Sequence, residues 1–473
     1  MKRYKRLYIL LGVLCVICLV TFAVSRHEEY KEQIAASDEI ILEIPTDSVQ
    51  SLSWEYDDQS LSFHRDESWL YDEDEAFPVD EEKMTELLDL FSSFGVSFII
   101  EDAENLGQYG LDDPACTIRI DTEEESYTIT LGDFSTMDSQ RYVSIGDGNV
   151  YLVSNDPMDA FSVELKDMID NDEVPAMDAV TEIQFTGSAD YTVTYEEDSN
   201  ATYREADVYF TRSGGEDVPL DTGRVEDYLD AIQSLDLTNY VTYNATEEEL
   251  SACGLDNPEL TVEIDYTAED EEGNETSGTF LLSVSRDPEE LAAQAEAAET
   301  ETETSEESEE EEITAYVRVG DSPILYQITG EEYEALMAAS YDDLRHTEVL
   351  PADFADISQL DITIDGEDYT ITAQGDREER TYTYQEEEVD LGEVQSAIDA
   401  LQADSFTDET PTGQEELSLT VHLELEGSPT VHIQLYRYDG THCVAVVDGE
   451  AVSLVPRSAV VDLQEAINAI VLN

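Results

Sequence analysis

Basic residues are scarce in this chain, and their scarcity excludes one large class of function. The 473 residues include 21 Lys and Arg against 114 Asp and Glu, which gives a formal net charge of −93. Because such a surface would repel a phosphate backbone, binding to nucleic acid is excluded. Hydrophobic residues still make up 41% of the chain and Tyr alone supplies 26, so disorder throughout is excluded as well. We expect a folded, very acidic, β-rich protein.

The residues and motifs of common catalytic sites are also scarce. The chain has six His and five Cys, and it lacks a Gly-rich phosphate loop, a Gly-x-Ser-x-Gly turn, a His-Glu-x-x-His motif and a pair of Cys-x-x-Cys motifs. Carboxylates are so abundant that any chosen glycosidase-like pair would be uninformative. We therefore predict no enzyme, no catalytic residues and no cofactor, with a hydrolase kept as the third alternative.

Cysteine usage excludes a dense disulfide framework. Two of the five cysteines, Cys15 and Cys18, lie in an apolar segment, which leaves Cys116, Cys253 and Cys443 scattered over the rest of the chain. An odd number so widely spaced does not build a disulfide scaffold. We predict three buried thiols, with a redox or metal role as the alternative.

The N-terminal segment predicts a membrane anchor. Basic residues crowd positions 1–6, and the 18 residues from Leu7 to Val24 carry no charge. As a helix these 18 residues would be roughly 27 Å long, close to the ~30 Å hydrocarbon thickness of a bilayer. Because basic residues flank the cytoplasmic side, we expect a cytoplasmic tip at 1–6, a transmembrane signal-anchor at 7–24 and an extracytoplasmic remainder.

A cleaved signal peptide is the alternative interpretation of the same segment. Ala23-Val24-Ser25 is a tolerable small-x-small cleavage site, although the apolar run is longer than that of most signal peptides. A lipoprotein is disfavoured because neither Cys15 nor Cys18 follows the small residue that normally precedes an acylated cysteine. The segment therefore predicts one pass through the membrane.

Two short units recur along the chain. The turn Gly110-Leu111-Asp112-Asp113-Pro114 recurs as Gly254-Leu255-Asp256-Asn257-Pro258, and an alternating apolar pattern follows each copy. Glycine can adopt a positive φ and proline blocks a continuing helix, so each copy predicts a stop and a turn into a sheet. Upstream of the two turns, Asp80 and Asp221 are predicted to cap helices.

Apolar stripes predict the helices that follow these caps. Residues spaced at i, i+3, i+4 and i+7 share one helix face. The first stripe has this spacing, and two similar stripes follow it: Met84, Leu87, Leu88, Phe91; Val225, Leu229, Ile232, Leu235; Val394, Ile398, Leu401. Alternating strands with Gly-containing turns follow. The predicted fold class is α+β: tandem repeats of antiparallel β-meander sheets, each with one packing helix, preceded by one N-terminal transmembrane helix.

These patterns divide the chain beyond the anchor into three α+β repeats. We place repeat 1 at 40–175, repeat 2 at 177–350 and repeat 3 at 355–473, with a proline at each joint. Repeat 3 is the weakest match because residues 415–419 replace the Gly-Leu-Asp-x-Pro turn. Its membership depends on the pattern of helix and strands alone.

Repeat 2 carries an acidic low-complexity insertion at 286–312. The segment has 13 acidic residues and one basic residue among Ala, Thr and Ser. Such a composition cannot bury enough apolar surface to order itself, and its charges repel one another. We predict a solvated loop between two strands, with a cation-attracting or partner-binding tail as the alternative.

Histidine is concentrated in one place, repeat 3. His422, His432, His442 and Cys443 lie on three successive predicted strands. If the turn at 426–429 closes a hairpin, the first two histidines approach each other across the ladder and His442 joins from the next strand, where neutral imidazoles bind zinc or copper. The alternating apolar neighbours favour histidines that simply occupy the polar strand face. We therefore predict no metal site and keep these four residues as the candidate ligands.

Several motifs together resemble a known family. Besides the anchor, the motifs are Leu52-Ser53-Trp54, Trp69-Leu70, Phe77-Pro78-Val79-Asp80, Tyr109-Gly110-Leu111-Asp112-Asp113-Pro114 and Leu131-Gly132-Asp133. This ensemble is similar to the bacterial membrane-anchored repeat family catalogued as domain of unknown function 4340. The resemblance is strongest over 45–175, and Trp69-Leu70 and Pro78-Val79-Asp80 replace the more usual Trp-x-Val and Pro-Ala-Asp.

The resemblance implies an association but no activity. Such proteins are often encoded beside gliding-motility-type ABC transporter subunits, and no catalytic residues are established in the family. We therefore expect a non-enzymatic accessory or scaffold protein of the bacterial cell membrane, with transporter subunits or other envelope proteins as partners. The alternative is an extracytoplasmic binding module for cell-wall polymer, a cationic peptide or metal ions, which the negative charge would attract.

Overall fold

The computed structural model describes residues 39–57, 59–101, 103, 105–137, 139–270, 273–293 and 313–472. These residues belong to two compact units, Met1–Asn171 and Asp172–Asn473. The predicted anchor at 7–24 lies outside the described residues. Within the described ranges, every helix is too short or too polar to cross a membrane.

Unit 1 contains the sheet of repeat 1. Eight strands form this sheet in the order β4-β3-β2-β7-β8-β9-β10-β6, and β1 pairs separately with β5. The strands are β1 Glu39–Leu42, β2 Val49–Tyr56, β3 Gln59–Arg65, β4 Trp69–Tyr71, β5 Phe94–Val96, β6 Phe98–Ile100, β7 Cys116–Thr122, β8 Ser126–Ser135, β9 Gln140–Ser144 and β10 Val150–Val153, and the helices are α1 Glu81–Ser92 and α2 Met158–Phe161.

Unit 2 contains two nine-stranded sheets, and the first belongs to repeat 2. Its strand order is β14-β13-β12-β11-β16-β17-β18-β19-β15. The strands are β11 Ala179–Gly187, β12 Tyr191–Tyr195, β13 Tyr209–Ser213, β14 Glu216–Pro219, β15 Tyr240–Thr242, β16 Leu260–Glu269, β17 Glu275–Arg286, β18 Ala315–Val319 and β19 Leu325–Ile328, and the helices are α3 Thr222–Gln233, α4 Glu247–Ala252, α5 Gly330–Met337 and α6 Tyr341–Leu344.

The second sheet of unit 2 belongs to repeat 3. Its strand order is β23-β22-β21-β20-β25-β26-β27-β28-β24. The strands are β20 Ile357–Ile364, β21 Glu367–Gln374, β22 Thr381–Tyr384, β23 Glu387–Val389, β24 Ser405–Phe406, β25 Glu415–Leu423, β26 Thr430–Arg437, β27 His442–Val447 and β28 Glu450–Pro456, and the helices are α7 Gly392–Asp399 and α8 Arg457–Val471.

The three large sheets share one topology. In each, the first strands run as hairpins to one edge, a helix follows, and a short strand then pairs at the opposite edge. A four-stranded meander returns from the middle of the sheet to that short strand, and every pairing is antiparallel. The α+β class and the repeated sheets are confirmed, including repeat 3, where the sequence pattern is weakest.

The predicted helix faces and caps are confirmed. Asp80 accepts a hydrogen bond from the backbone N–H of Lys83 at the start of α1, and Asp221 accepts from Gly223 and Arg224 at the start of α3. These bonds satisfy N–H groups that have no partner inside the helix. All members of the three predicted apolar stripes are buried.

The prediction of one packing helix per repeat is wrong for repeats 2 and 3. A second helix follows the last strand of each: α5 packs against α3, and α8 packs against α7. In repeat 1 the corresponding segment forms only the single-turn α2. The 15-residue α8 buries Ala459, Val460, Leu463, Ala466 and Ile467, a helical spacing that is present in the sequence.

The two Gly-Leu-Asp-x-Pro turns act as predicted. Gly110 and Gly254 have φ angles of 70° and 72°, which belong to the left-handed region that glycine adopts without a steric penalty. Leu111 and Leu255, the next residues, donate their N–H groups back to Leu106 and Leu250. This is the 6→1 bond that closes the end of a helical turn. Each turn therefore ends a helical segment immediately before a strand enters the sheet.

The predicted start of the acidic insertion, residue 286, is too early in the sequence. Arg286 is the last residue of β17, and residues 288–293 are helical. Asp287 accepts hydrogen bonds from the N–H groups of Glu289 and Glu290, which fixes this first turn. Only this first turn is fixed by the cap, because the side chain of an N-cap residue bonds to N–H groups two or three residues after it. The remainder of the predicted insertion, 294–312, lies outside the described residues.

Candidate functional site

The strand register separates the histidines that the sequence places together. In the β25–β26 ladder Thr420 lies opposite His432 and Thr430 lies opposite His422, so the two histidines are diagonal rather than facing. The β27 ladder places His442 at the strand end that is remote from His432. The expected approach of three imidazoles therefore does not occur in the structure, because each histidine occupies a different rung of the sheet.

Each of these residues has a partner of its own. Nε2 of His422 lies 2.9 Å from Oδ2 of Asp361, and Nδ1 of His432 lies 3.0 Å from the Thr420 hydroxyl. Nε2 of His442 lies 3.2 Å from a carboxylate oxygen of Asp404. Cys443 faces the core on the other side of its strand, and burial raises the pKa of its thiol to about 12. These contacts describe polar sheet-face histidines and a buried neutral thiol.

Cys116, Cys253 and Cys443 are buried free thiols, as predicted. Burial also raises the pKa of Cys116 to about 12 and raises the pKa of Cys253. A thiol with a raised pKa stays protonated and is a poor nucleophile and a poor metal ligand at neutral pH. The geometry therefore gives these cysteines a packing role.

A different histidine, His346, lies in a buried, charged cluster of unit 2. It belongs to the segment that leads from repeat 2 into repeat 3, and only 8% of its surface is exposed. Its Nε2 lies 3.1 Å from Oδ2 of Asp207, which is 3% exposed and also accepts a hydrogen bond from Thr202. Because a carboxylate oxygen accepts, Nε2 carries the hydrogen.

The other ring nitrogen of His346 faces two more carboxylates. Nδ1 lies 3.7 Å from Oδ2 of Asp221 and 3.8 Å from Oε2 of Glu348. It is buried and has no hydrogen-bond partner. The nearest ligand atoms of Asp221, His346 and Glu348 all lie within 4.8 Å of one another. Nδ1 therefore faces two anionic oxygens.

The charges of this cluster act on the pKa of the imidazole. Burial works to lower the pKa of His346, but Asp207, Glu348 and Asp221 outweigh it and raise the pKa to about 9. The same contact with His346, together with Arg204, holds the pKa of Glu348 well below its usual range. The three carboxylates therefore stabilise a positive charge on the imidazole.

Repeat 3 holds the segment that carries His346. The N–H of Val349 donates to the carbonyl of Leu401, and the N–H of Ala403 donates to the carbonyl of Thr347. Val349 and the following residue, Leu350, belong to the apolar core of repeat 3. The segment is thus fixed to repeat 3 by its backbone, while the His346 side chain reaches the carboxylates of repeat 2.

A loop of repeat 2 strengthens the same joint. Tyr203 packs against the core of repeat 3. Arg204 pairs with Glu348 at 3.4 Å, and Glu205 pairs with Arg377 of repeat 3 at 3.6 Å. Apolar burial supplies most of the stabilisation of such an interface, whereas exposed ion pairs add little.

Most of the basic residues in the described part of the chain are neutralised internally. Thirteen of the fifteen Lys and Arg residues there form ion pairs with carboxylates. Glu416 of repeat 3 accepts from both Arg437 and Arg457 and is itself nearly inaccessible to solvent. The excess of acidic side chains therefore gives the surface a strongly negative potential.

The sequence does not reveal the place of His346 in this cluster. Its pattern predicts Asp221 only as a helix cap, and Asp207, which lies 139 residues before His346, carries no signal. The one local signal was His346-Thr347-Glu348, in which alternate residues of an extended segment lie on the same side.

The family comparison identifies similarity over most of the chain. A family model described as "Domain of unknown function (DUF4340)" matches residues 69–258 and 211–420. The two segments overlap and together extend from β4 of repeat 1 into β25 of repeat 3. No curated protein and no solved structure matches the chain.

Proposed function

Because the chain belongs to the DUF4340 family, whose function is unknown, we propose a role that depends on architecture rather than catalysis. The protein is a non-enzymatic accessory or scaffold of the bacterial cell envelope, anchored by residues 7–24 with its repeats outside the cytoplasm. Its partners are subunits of a gliding-motility-type ABC transporter. This association follows the resemblance of the sequence to its family.

The observation that carries the proposal is the threefold use of one strand order. Repeats 2 and 3 also share buried contacts through Tyr203 and the 345–350 segment. A repeated fold whose neighbouring copies pack together presents side chains at fixed separations, which is the mechanical requirement of a scaffold. A scaffold needs no cluster of catalytic groups, so repeated sheets that pack against one another are sufficient for this role.

The membrane anchor is supported by the sequence. The basic tip and the uncharged run from Leu7 to Val24 match the length and flanking charge of a single-pass signal-anchor. Anchoring restricts the repeats to the neighbourhood of the membrane and raises their effective concentration beside an integral membrane complex.

The test is affinity purification of the full-length protein from its own membranes in mild detergent, followed by mass spectrometry. We expect transporter subunits in stoichiometric amount that persist through a high-salt wash. Recovery of the protein alone would contradict a stable complex. A matched variant without residues 294–312 keeps all the described elements and reports whether that acidic segment contributes to the association.

The second candidate function is a binding module for a cationic ligand, such as a cationic peptide or a metal ion, or for cell-wall polymer. The net charge of −93 and the internal pairing of most described basic residues favour the cationic ligands. Attraction by a charged surface weakens steeply with ionic strength. Capture that is lost in high salt would therefore favour this function over an obligate membrane complex.

A further inference from the structure

We propose that Asp221, His346 and Glu348 bind one divalent transition-metal ion of the zinc class, at the joint between repeats 2 and 3. The inference is independent of the proposed transporter association. It assigns a ligand to a cluster in which the nearest oxygen and nitrogen atoms lie within 4.8 Å of one another. Such atoms need only small side-chain movements to share an ion at the usual ~2.0–2.2 Å.

The imidazole is prepared as a ligand by Asp207. The Asp207 carboxylate, itself fixed by the Thr202 hydroxyl, holds the hydrogen on Nε2 of His346. When a metal ion displaces the proton from Nδ1, the lone pair of the neutral imidazole is therefore on this nitrogen, which is buried and without a hydrogen-bond partner. A carboxylate that orients a metal-binding histidine through its other nitrogen is a recurrent feature of metal sites.

Each of the two carboxylate ligands has one oxygen committed to the fold and the other directed at Nδ1. Oδ1 of Asp221 caps helix α3, whereas Oδ2 lies 3.7 Å from Nδ1. Oε1 of Glu348 lies 3.4 Å from Arg204, whereas Oε2 lies 3.8 Å from Nδ1. Arg224 lies 3.9 Å from Oδ2 of Asp221, too far for a hydrogen bond.

The chemistry of the donors selects the class of ion. One imidazole nitrogen and two carboxylate oxygens suit zinc and similar first-row divalent ions, whereas calcium and magnesium prefer all-oxygen sites. The partly exposed side chains of Asp221 and Glu348 leave room for water as a fourth ligand. The ion would join helix α3 of repeat 2 to the segment that the backbone of repeat 3 holds.

The test is zinc uptake by the full-length protein in mild detergent. The protein is stripped with a chelator and dialysed against a slight molar excess of zinc in the presence of a large excess of magnesium and salt, which occupy the nonspecific acidic surface. Bound metal is then measured by mass spectrometry. We expect one equivalent of zinc for the wild type, and a cobalt-loaded sample is expected to show the absorption bands of a low-coordinate site.

Variants localise the ion. His346→Gln and Glu348→Gln are expected to lose the bound equivalent, and Asp207→Asn is expected to weaken zinc binding by about 10–100-fold because it releases the orientation of the imidazole. His422→Gln is the matched control, since His422 also bonds to a carboxylate, Asp361, but on an open sheet face. This control is expected to keep the full equivalent.

Two outcomes would overturn the proposal. If the wild type takes up no stoichiometric zinc, His346 simply holds a proton between the carboxylates, and this result requires no variant to fold. If His346→Gln and Glu348→Gln bind as much zinc as the wild type, the ion lies elsewhere on the acidic surface. Circular dichroism of each variant ensures that lost binding is not lost folding.

Discussion

Repeats 1 and 2 fasten the start of their first helix in the same way. The N–H of Asp80 donates to the carbonyl of Met168 in repeat 1, and the N–H of Asp221 donates to the carbonyl of Leu344 in repeat 2. In both repeats the chain that leaves the sheet thus returns to the cap of the first helix. The backbone frame of the two repeats is equivalent at this point.

The side chains on this shared frame differ. Two residues after the bonded carbonyl, repeat 1 has Asp170 and repeat 2 has His346. Exposed Glu67 of repeat 1 and buried Asp207 of repeat 2 each lie two residues before equivalent strands, β4 and β13. The comparison teaches that the same backbone arrangement can carry an exposed acidic side chain in one repeat and a buried charged cluster in another.

The packing of repeat 3 against repeat 2 buries the charged cluster of Asp207 and His346. Residues 347–349 are bonded to residues 401–403, so the neighbouring His346 lies under the joint. A buried carboxylate such as Asp207 is costly unless it is paired and hydrogen-bonded. His346 supplies that partner.

The largest expected effect is a matched truncation in the two cores. Trp54 in repeat 1 and Phe185 in repeat 2 occupy equivalent positions, and each packs against aromatic rings. Replacement of either by Ala should lower the free energy of unfolding by about 3–5 kcal/mol, because a buried aromatic leaves a cavity.

Hydrogen exchange measured peptide by peptide checks this prediction. Trp54→Ala should accelerate exchange in unit 1, whereas Phe185→Ala should accelerate exchange in unit 2. Equal acceleration in both units for both variants would show that the repeats of units 1 and 2 unfold as one cooperative structure and would contradict the comparison.

The next effect breaks the charged cluster itself. Asp207→Ala leaves His346 without its hydrogen-bond acceptor in a buried site and should cost about 3 kcal/mol of unfolding free energy. Glu67→Ala, the equivalent change in repeat 1, removes an exposed side chain and should change stability by less than about 0.5 kcal/mol. Urea unfolding of both variants measures the difference, and similar losses would remove the distinction between the two repeats.

A smaller effect is expected at the shared turns. Ala at Gly110 or Gly254 must adopt a positive φ, which costs about 1–2 kcal/mol. The new Cβ at Gly110 would lie 2.8 Å from the backbone nitrogen of Asp133, whereas at Gly254 the nearest backbone atom, an oxygen of Arg286, is 3.1 Å away. Thermal unfolding should therefore show a larger loss for Gly110→Ala, and the reverse order would be evidence against this close packing.

The smallest effect extends the comparison to repeat 3 and depends on pH. Burial alone would raise the pKa of Glu416, but the hydrogen bonds from Arg437 and Arg457 hold it below its usual value of 4.5. A lowered folded-state pKa gives stability that is present above pH 4.5 and is lost as the pH falls through the folded-state value.

Glu416→Gln should therefore flatten the acid dependence of unfolding below pH 4.5. Glu415→Gln, at the neighbouring exposed position, is the control and should keep the wild-type slope. Urea midpoints measured at several pH values between 4.5 and 3 distinguish the two variants, and identical slopes would disprove the assignment.

Local features of the fold were predictable from the sequence, and features that depend on register were not. Asp80, Asp221 and the glycines of the two turns form or permit hydrogen bonds between residues no more than five positions apart. Such short-range patterns can be recognised in the sequence. The sequence favours histidines on the polar strand face in repeat 3 but leaves open whether they approach one another, because their contacts depend on which rungs pair across β25, β26 and β27. A spacing of ten residues does not specify that pairing.

The sequence by itself determined the α+β repeats, the acidic surface and the buried cysteines, because composition and periodicity act through burial, which is a property of each residue type. Only the tertiary structure decided that Asp207, Asp221, His346 and Glu348 meet. These residues come from a loop, a helix cap and a connecting segment, and the packing of repeat 3 against repeat 2 buries them together. Burial at that joint leaves Nδ1 of His346 without a hydrogen-bond partner and facing two carboxylates.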